Sequence, residues 1–272
     1  MKLSISILVV LILYFTSLYS YDCSRHRSKA KTKTILSNWT WTQKKGYLKD
    51  VSINSYGDYA GADGKKRLWG LNQMTGRWRR YPGNKVGITA LAFSNENVLW
   101  ICRNKVIERY EPFHSNKFKG RWIRVPGCCN DIDIGANNLV VAIGCDNYRY
   151  GFGIWRNLGG DFSKWKRIPG QADTVGVGGR GQIAVSNRVK DIFYTYNKRT
   201  PWTKTEGKAI DVSVTDDGNM VVIGTDNHVY YSTVPGPKPK WSKDQAKGYR
   251  ISARQWRHPV VVGMDHSLWH AK

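Results

Sequence analysis

The hexapeptide at Trp165–Gly170, WKRIPG, has near copies at Trp78–Gly83 (WRRYPG) and Trp122–Gly127 (WIRVPG). Its opening Trp recurs in looser copies at Trp41, Trp202 and Trp241, giving spacings of 37, 44, 43, 37 and 39 residues. Five of the six copies place Gly five residues after Trp, and the last is stretched by two. A period of this size means one supersecondary unit repeated, and such a unit buries its apolar face only against its neighbours. No other feature restricts the fold as much.

Each phrase is followed by a short alternating run: DVSI, ITALAF, DIDI, TVGV, DVSV and RISA. Alternation with period two is a strand buried on one face. A turn rich in Gly, Asn and Asp comes next, as in TDDG and GANN, then an apolar strand and a polar loop. A third strand with an aromatic follows, and the Trp phrase is the fourth. Four short antiparallel strands, repeated six times without a helical pattern, predict an all-β fold, a six-bladed β-propeller of four-stranded antiparallel blades. Radial closure removes most of the exposed edges that a flat sheet of so many strands would carry. The sixth unit stops after its third strand, SLWHAK, while Asn38–Gln43 offers a fourth strand with no unit before it. The N-terminal strand is therefore expected to close the ring, with residues 38–43 paired against 267–271. The Trp is expected to wedge between neighbouring blades, while Pro-Gly turns the chain.

Units of this form, Trp-x-x-[Ile/Val]-x-Gly, an Ile/Val strand, then Gly-x-[Asp/Asn] before an aromatic strand, resemble the tectonin repeats. VIGTDNHVYY and VVGMDHSLWH carry the resemblance with the Trp-Pro-Gly phrases, over essentially all of Trp39–Lys272. Unit two departs from it, since WICRNKVIER lacks the Gly-x-Asp. Units two and three also carry the longer inserts EPFHSNKFKG and DNYRYGFG. Secreted six-unit proteins of this kind include the fish-egg lectins and the horseshoe-crab lipopolysaccharide-binding lectin. The resemblance implies a non-enzymatic propeller that binds sugars, often microbial ones.

The chain of 272 residues opens with one Lys, an apolar run from Ile5 to Phe15 and then small and polar residues. That pattern predicts a signal peptide over 1–20, a basic tail over 21–37 and a secreted, extracellular propeller over 38–272. No later stretch is apolar for long enough to span a bilayer. The 43 Lys and Arg against 20 Asp and Glu give a formal charge of +23, which attracts anions. Five cysteines, Cys23, Cys102, Cys128, Cys129 and Cys145, allow two bridges and one thiol left over. One bridge is expected to join Cys128 or Cys129 to Cys102 or Cys145. No second pair stands at metal-ligand spacing, so no metal or other cofactor is expected. The sequon NWT at Asn38–Thr40 is the one glycosylation signal.

Strand order puts the turn after each Trp phrase and the loop between second and third strands at one end of the ring. The candidate ligand residues there are Asp63, Lys65 and Lys66; Arg103 and Lys105; Asp146, Asn147 and Arg149; Arg188 and Lys190; Asp226, Asn227 and His228; and Asp265 and His266. Carboxylates and amides bond sugar hydroxyls, and Lys and Arg meet phosphate or carboxylate. Asp63, Asp146, Asp226 and Asp265 share one repeat position, where an Asp can equally bond its own turn. Units five and six, with the cleanest copies and no insert, are the expected best sites. The partners expected are glycans, lipopolysaccharide or other anionic surface polysaccharides, with nucleic acid bound only non-specifically. A charge-driven binder of extracellular polyanions, or a matrix protein, is the alternative. A catalyst would need a singular constellation, and the acids here recur by repeat.

Overall fold

The computed structural model describes residues 39–272, apart from 73–74, 95–96, 114–115, 158–161, 197–200, 233–235 and 256–257. The expected signal peptide, the basic tail, Cys23 and Asn38 of the sequon lie outside the described residues.

Every described element is a strand, joined by turns. The first is β1 (Trp41–Lys44). One four-stranded antiparallel sheet follows from β2 (Leu48–Ile53), β3 (Tyr59–Asp63), β4 (Leu68–Asn72) and β5 (Arg77–Arg80). A second comprises β6 (Ile88–Phe93), β7 (Leu99–Arg103), β8 (Val106–Phe113) and β9 (Asn116–Cys128). A third comprises β10 (Asp131–Ile134), β11 (Val140–Tyr148), β12 (Gly151–Asn157) and β13 (Lys166–Ala172). Then come β14 (Thr174–Val177), β15 (Ile183–Ser186), β16 (Asp191–Thr195), β17 (Thr203–Val214), β18 (Met220–Gly224), β19 (His228–Ser232) and β20 (Trp241–Lys247), all in one seven-stranded sheet. The last strands, β21 (Arg250–Ser252), β22 (Val260–Val262) and β23 (Leu268–Ala271), form a four-stranded sheet with β1.

The fold is an all-β propeller, but its sheets are not six separate quartets. Units four and five share a sheet because β17 is continuous: Lys204 and Lys208 pair with β16, and Ala209 to Val214 pair with β18. Glu206 stands where the phrases at Trp78, Trp122 and Trp165 carry Pro. The N-terminal strand lies where expected. Trp41 pairs with Ala271 and Lys44 with Leu268.

The first strand of each unit contacts the first strand of the next, from β2 through β6, β10, β14 and β17 to β21, and β21 contacts β2. Each such strand has one edge without a strand partner, an unsatisfied row of N–H groups. After units one, three and five, side chains of the preceding unit cap it. Asp50 accepts the Leu91 N–H at 3.0 Å and Ser52 that of Phe93 at 3.2 Å. Asp131 and Asp133 do the same for Val175 and Val177, at 2.8 and 2.7 Å. Asp211 and Ser213 cap Ile251 and Ala253, at 2.8 and 2.9 Å. Among these carboxylates Arg250 lies 3.3 Å from Asp211 and 3.9 Å from Asp50. Arg254 donates to the carbonyls of Phe93 and Ile134, and its Nε is 3.3 Å from Asp216. One side chain of unit six thereby links units two, three and five to its own.

The apolar core is divided among the interfaces between units. Val51 and Ile53 pack with Val260, Val262 and Leu268, and Tyr231 with Ile251 and Val261. Cys102–Cys129 and Cys128–Cys145 are disulfides, so Cys128 and Cys129 both take part, which is the expected neighbourhood. All described residues belong to one compact unit, Ser37–Lys272. Among them, no helix is long and apolar enough to cross a membrane.

Candidate functional site

The repeated Trp is the joint between consecutive units. The indole N–H of Trp122 donates to Pro82 O at 2.8 Å, that of Trp165 to Pro126 O at 2.6 Å, and that of Trp241 to Glu206 O at 2.9 Å. Trp202 reaches Pro169 O and Trp78 reaches Lys45 O in the same way. Each acceptor is the fourth residue after the Trp of the preceding unit. Trp41 completes the series through Asp244 Oδ1 at 2.8 Å. The Gly that ends the phrase leaves room for that ring: a Cβ on Gly170 would sit 3.0 Å from Trp202 Nε1, at φ +125°.

This joint leaves clefts at one repeat position. Gly46, Trp78, Trp69, Asp63 and Tyr47 line one of about 370 Å³. Gly127, Trp165, Trp155 and Asp146 line another of about 200 Å³, beside Cys128 and Cys145. Gly170, Trp202, Phe193, Asn187 and Tyr150 line a third of about 260 Å³. In each, two aromatic rings from the third and fourth strands flank a glycine, and an Asp or Asn of the turn supplies a polar edge. Pockets with apolar walls and few fixed polar groups suit small ligands.

The third-strand ring faces a cation in register. Trp69 pairs with Arg80, Trp155 with Arg167, Phe193 with Lys204 and Tyr230 with Lys243. All four cations stand two residues after the phrase Trp. Arg80 lies 5.9 Å from the Trp69 ring centre and Lys243 5.5 Å from that of Tyr230, close enough for cation–π attraction. Unit six has Gln43 opposite Trp269. Unit two has Glu108 opposite Arg124, with Lys85 at 2.8 Å and Arg103 at 2.6 Å from the carboxylate. That ion pair takes the place of an aromatic wall. Burial opposes charge on Glu108, but bonds from Arg103 and Lys85 hold its pKa below the usual value.

The turn residues proposed from the sequence divide by what they already hold. Asp63 is buried; it accepts the N–H groups of Lys65 and Arg67 at 2.9 Å, Arg67 Nε at 2.6 Å and Trp69 Nε1 at 2.9 Å. Burial opposes its ionisation, yet these donors keep its pKa below normal. Asp226 is exposed but accepts Lys243 Nζ at 2.8 Å, Tyr230 Oη at 2.9 Å and both the N–H and Nδ1–H of His228. The Lys243 bond is the chief reason its pKa falls far below the carboxylate range. Asp265 accepts the Ser267 hydroxyl and its N–H, which lower its pKa. These three Asp residues support their own turns, and Asp63 has the least room for a ligand. Asp146 is exposed in its cleft.

Lys66, Asn227 and His266 share a left-handed backbone position, as do Lys105 and Lys190. There the carbonyls of Lys66, Asn227 and His266 accept the N–H groups of Ile88, Gly248 and Leu48 in the following units. The His266 ring accepts Lys49 Nζ at 2.9 Å and meets Tyr249 Oη at 2.6 Å. Lys65 is exposed beside the first cleft. Arg149 is exposed over Tyr150, 5.1 Å from the ring centre. Arg188 bonds Asn147 Oδ1 at 3.0 Å and Tyr148 O at 2.9 Å, tying unit four to unit three. Sequence reasoning missed the aromatic walls and the register-paired cations, although the third-strand aromatic itself was visible.

The family model described as Tectonin domain matches residues 129–255. Residues 129–255 therefore carry the tectonin pattern. Comparison with curated proteins returns no match. Among solved structures, the propeller is similar to the β-propeller domain of Cps50 (Swd1) from Myceliophteria thermophila, at TM-score 0.57 and 11% identity, covering 86% of this chain and 98% of that one. It is similar also to U3-55K, at TM-score 0.60 and 8% identity, covering 85% and 98%. The WD40 propeller domain of Doa1 matches at TM-score 0.56 and 13% identity, covering 87% and 97%. Likeness at such identity concerns the fold.

Proposed function

We propose that this tectonin-repeat chain is a secreted, multivalent carbohydrate-binding protein, a lectin for microbial surface glycans or lipopolysaccharide rather than an enzyme. Its propeller is counted as six blades, units four and five each giving one, closed by β1 on β23. The observation that carries the reading is the recurrence of one aromatic-walled cleft, with Asp or Asn at its edge, at Trp69, Trp155 and Phe193. Sugar rings stack on aromatic faces through their C–H groups, while carboxylates and amides bond hydroxyls. Such shallow sites are individually weak, and several on one ring give strength by avidity. The clefts of units one, three and four therefore replace units five and six as the preferred sites, because Lys243 occupies Asp226. The net charge and the cations beside the rings support a second reading, binding of extracellular polyanions by charge alone.

The test is a glycan array of the secreted chain at low and physiological salt, with Trp69→Ala combined with Trp155→Ala. The double variant is expected to lose at least tenfold in apparent affinity for multivalent glycan while its thermal midpoint moves by a few degrees. Unchanged glycan binding would remove the clefts from the account. Binding that disappears with salt and is untouched by free sugars would favour the polyanion reading.

A further inference from the structure

At the opposite end of the propeller from these clefts, the turn after β2 encloses, with Arg254, Gln255, His258 and His270, a cavity of about 230 Å³. His258 and His270 stand together in its wall, ring centres 5.6 Å apart. His270 is only 9% exposed, and its Nδ1 meets the Tyr59 hydroxyl at 2.6 Å. With that hydroxyl donating, the proton of the neutral ring sits on Nε2. His270 Nε2 and His258 Nδ1 are both buried without a hydrogen-bond partner among the described residues. An unsatisfied buried polar atom costs about 1–3 kcal/mol, so two in one wall mark a place where a polar guest would be stabilised.

The surroundings select the sign of that ligand. None of the residues lining the cavity is acidic, and Arg254 is one of them. The charge of Arg254 is partly met by Asp216, and its Nη1 is bonded to carbonyls. Burial first, then His258, Lys44 and Lys272, hold the His270 pKa down at about 4. Neighbours that repel a proton also repel a divalent metal and attract an anion. Among the described residues, no group of three or more His, Cys, Asp or Glu is placed to hold a metal ion. An acceptor oxygen at hydrogen-bond distance from a ring nitrogen lies roughly 4 Å from that ring's centre. Rings at this separation can therefore share one anionic group.

We propose that this cavity binds a single oxyanion group, a carboxylate or phosphate, between His270 Nε2–H and His258 Nδ1–H. The site is independent of the glycan clefts and lies on the other face. Bound anion stabilises the protonated imidazoles, so the His270 pKa rises on binding and affinity strengthens as pH falls.

The measurement is the ¹⁵N shift of both histidines in ¹⁵N-His-labelled protein, titrated separately with inorganic phosphate, acetate and zinc chloride at matched ionic strength. Phosphate, acetate or both should move His258 and His270 together and saturably, and should raise the His270 pKa. Which of the two works best separates a phosphate from a carboxylate ligand. His258→Gln, at the more open of the two positions, should abolish the shift of His270 while leaving the melting temperature unchanged. Shifts with zinc alone, no saturable shift with either anion, or a full phosphate response in His258→Gln would each overturn the proposal.

Discussion

Asp131 and Asp133 stand two residues apart on β10, each half-buried and holding an N–H of the next unit. Burial pushes both carboxyls up to about 7, against the pull of Arg250 on Asp131 and of the Val177 amide on Asp133. Asp50, beside Arg250, is pushed up to about 8 by the same cause. The ordinary Asp value is 3.8, so between about pH 4 and these raised values the folded chain binds more protons than the unfolded one. Stability from these groups is fully present below the ordinary value and is lost as pH rises through 7 to 8. Asp63, Glu108, Asp191, Asp226 and Asp265, held low, act the other way and withdraw their support only below the ordinary carboxylate range. The thermal midpoint should therefore rise on going from pH 8 to pH 5, by the equivalent of at least about 1 kcal/mol. Asp133→Asn, which retains an acceptor for Val177, should flatten that slope. A midpoint that falls over the same window would refute the burial account. These capping bonds were invisible in the sequence because each joins residues some forty positions apart. DVSI and DIDI read as strands with a polar face, with nothing to say that the face meets backbone.

At the scale of the strand, the Trp phrase joins one unit to the next, and the terminal Gly is its tightest point. Gly170→Ala would put a methyl 3.0 Å from Trp202 Nε1 and force Ala to φ +125°. Gly76→Ala serves as comparison, since its φ of +63° is strained but nothing lies within 4 Å. Urea unfolding should show a loss of about 1 kcal/mol for Gly76→Ala and about 2–3 kcal/mol for Gly170→Ala. Equal losses would mean that the indole contact contributes nothing. The phrase was legible because its Trp, Pro and Gly stand in fixed order at a regular spacing, and so were the strands that alternate between phrases. The merging of units four and five was not legible, since continuity of β17 depends on register around Glu206 rather than on composition. The turn Asp residues were visible as a set. Their partners, Trp69 for Asp63 and Lys243 for Asp226, come from other strands, and no local pattern marks which Asp is already saturated.

At the scale of the molecule, the contact of β1 with β23 determines whether the last sheet keeps an open edge. Removing the chain through Lys44 takes away all four residues paired with Leu268–Ala271, together with the Trp41 bond to Asp244. The shortened protein should lose cooperative melting by circular dichroism and associate on size exclusion, because β23 would then be unpaired. A monomer melting within a few degrees of the full chain would show that the edge tolerates water. Fold and closing strand could be inferred from the sequence alone because both follow from periodicity, whereas the clefts appear only when neighbouring units are set side by side. The Trp-to-carbonyl bond runs from unit to unit, whereas the Asp-to-amide bond is made by units one, three and five, so junctions with the carboxylate cap alternate with junctions that lack it. Tandem duplication or loss of units in pairs would then preserve that alternation, and copy number could drift by twos in a lineage without new surfaces being invented. The junction bearing Cys102, Cys128, Cys129 and Cys145 is the exception. Its two units are covalently matched to each other and must be inherited as a pair.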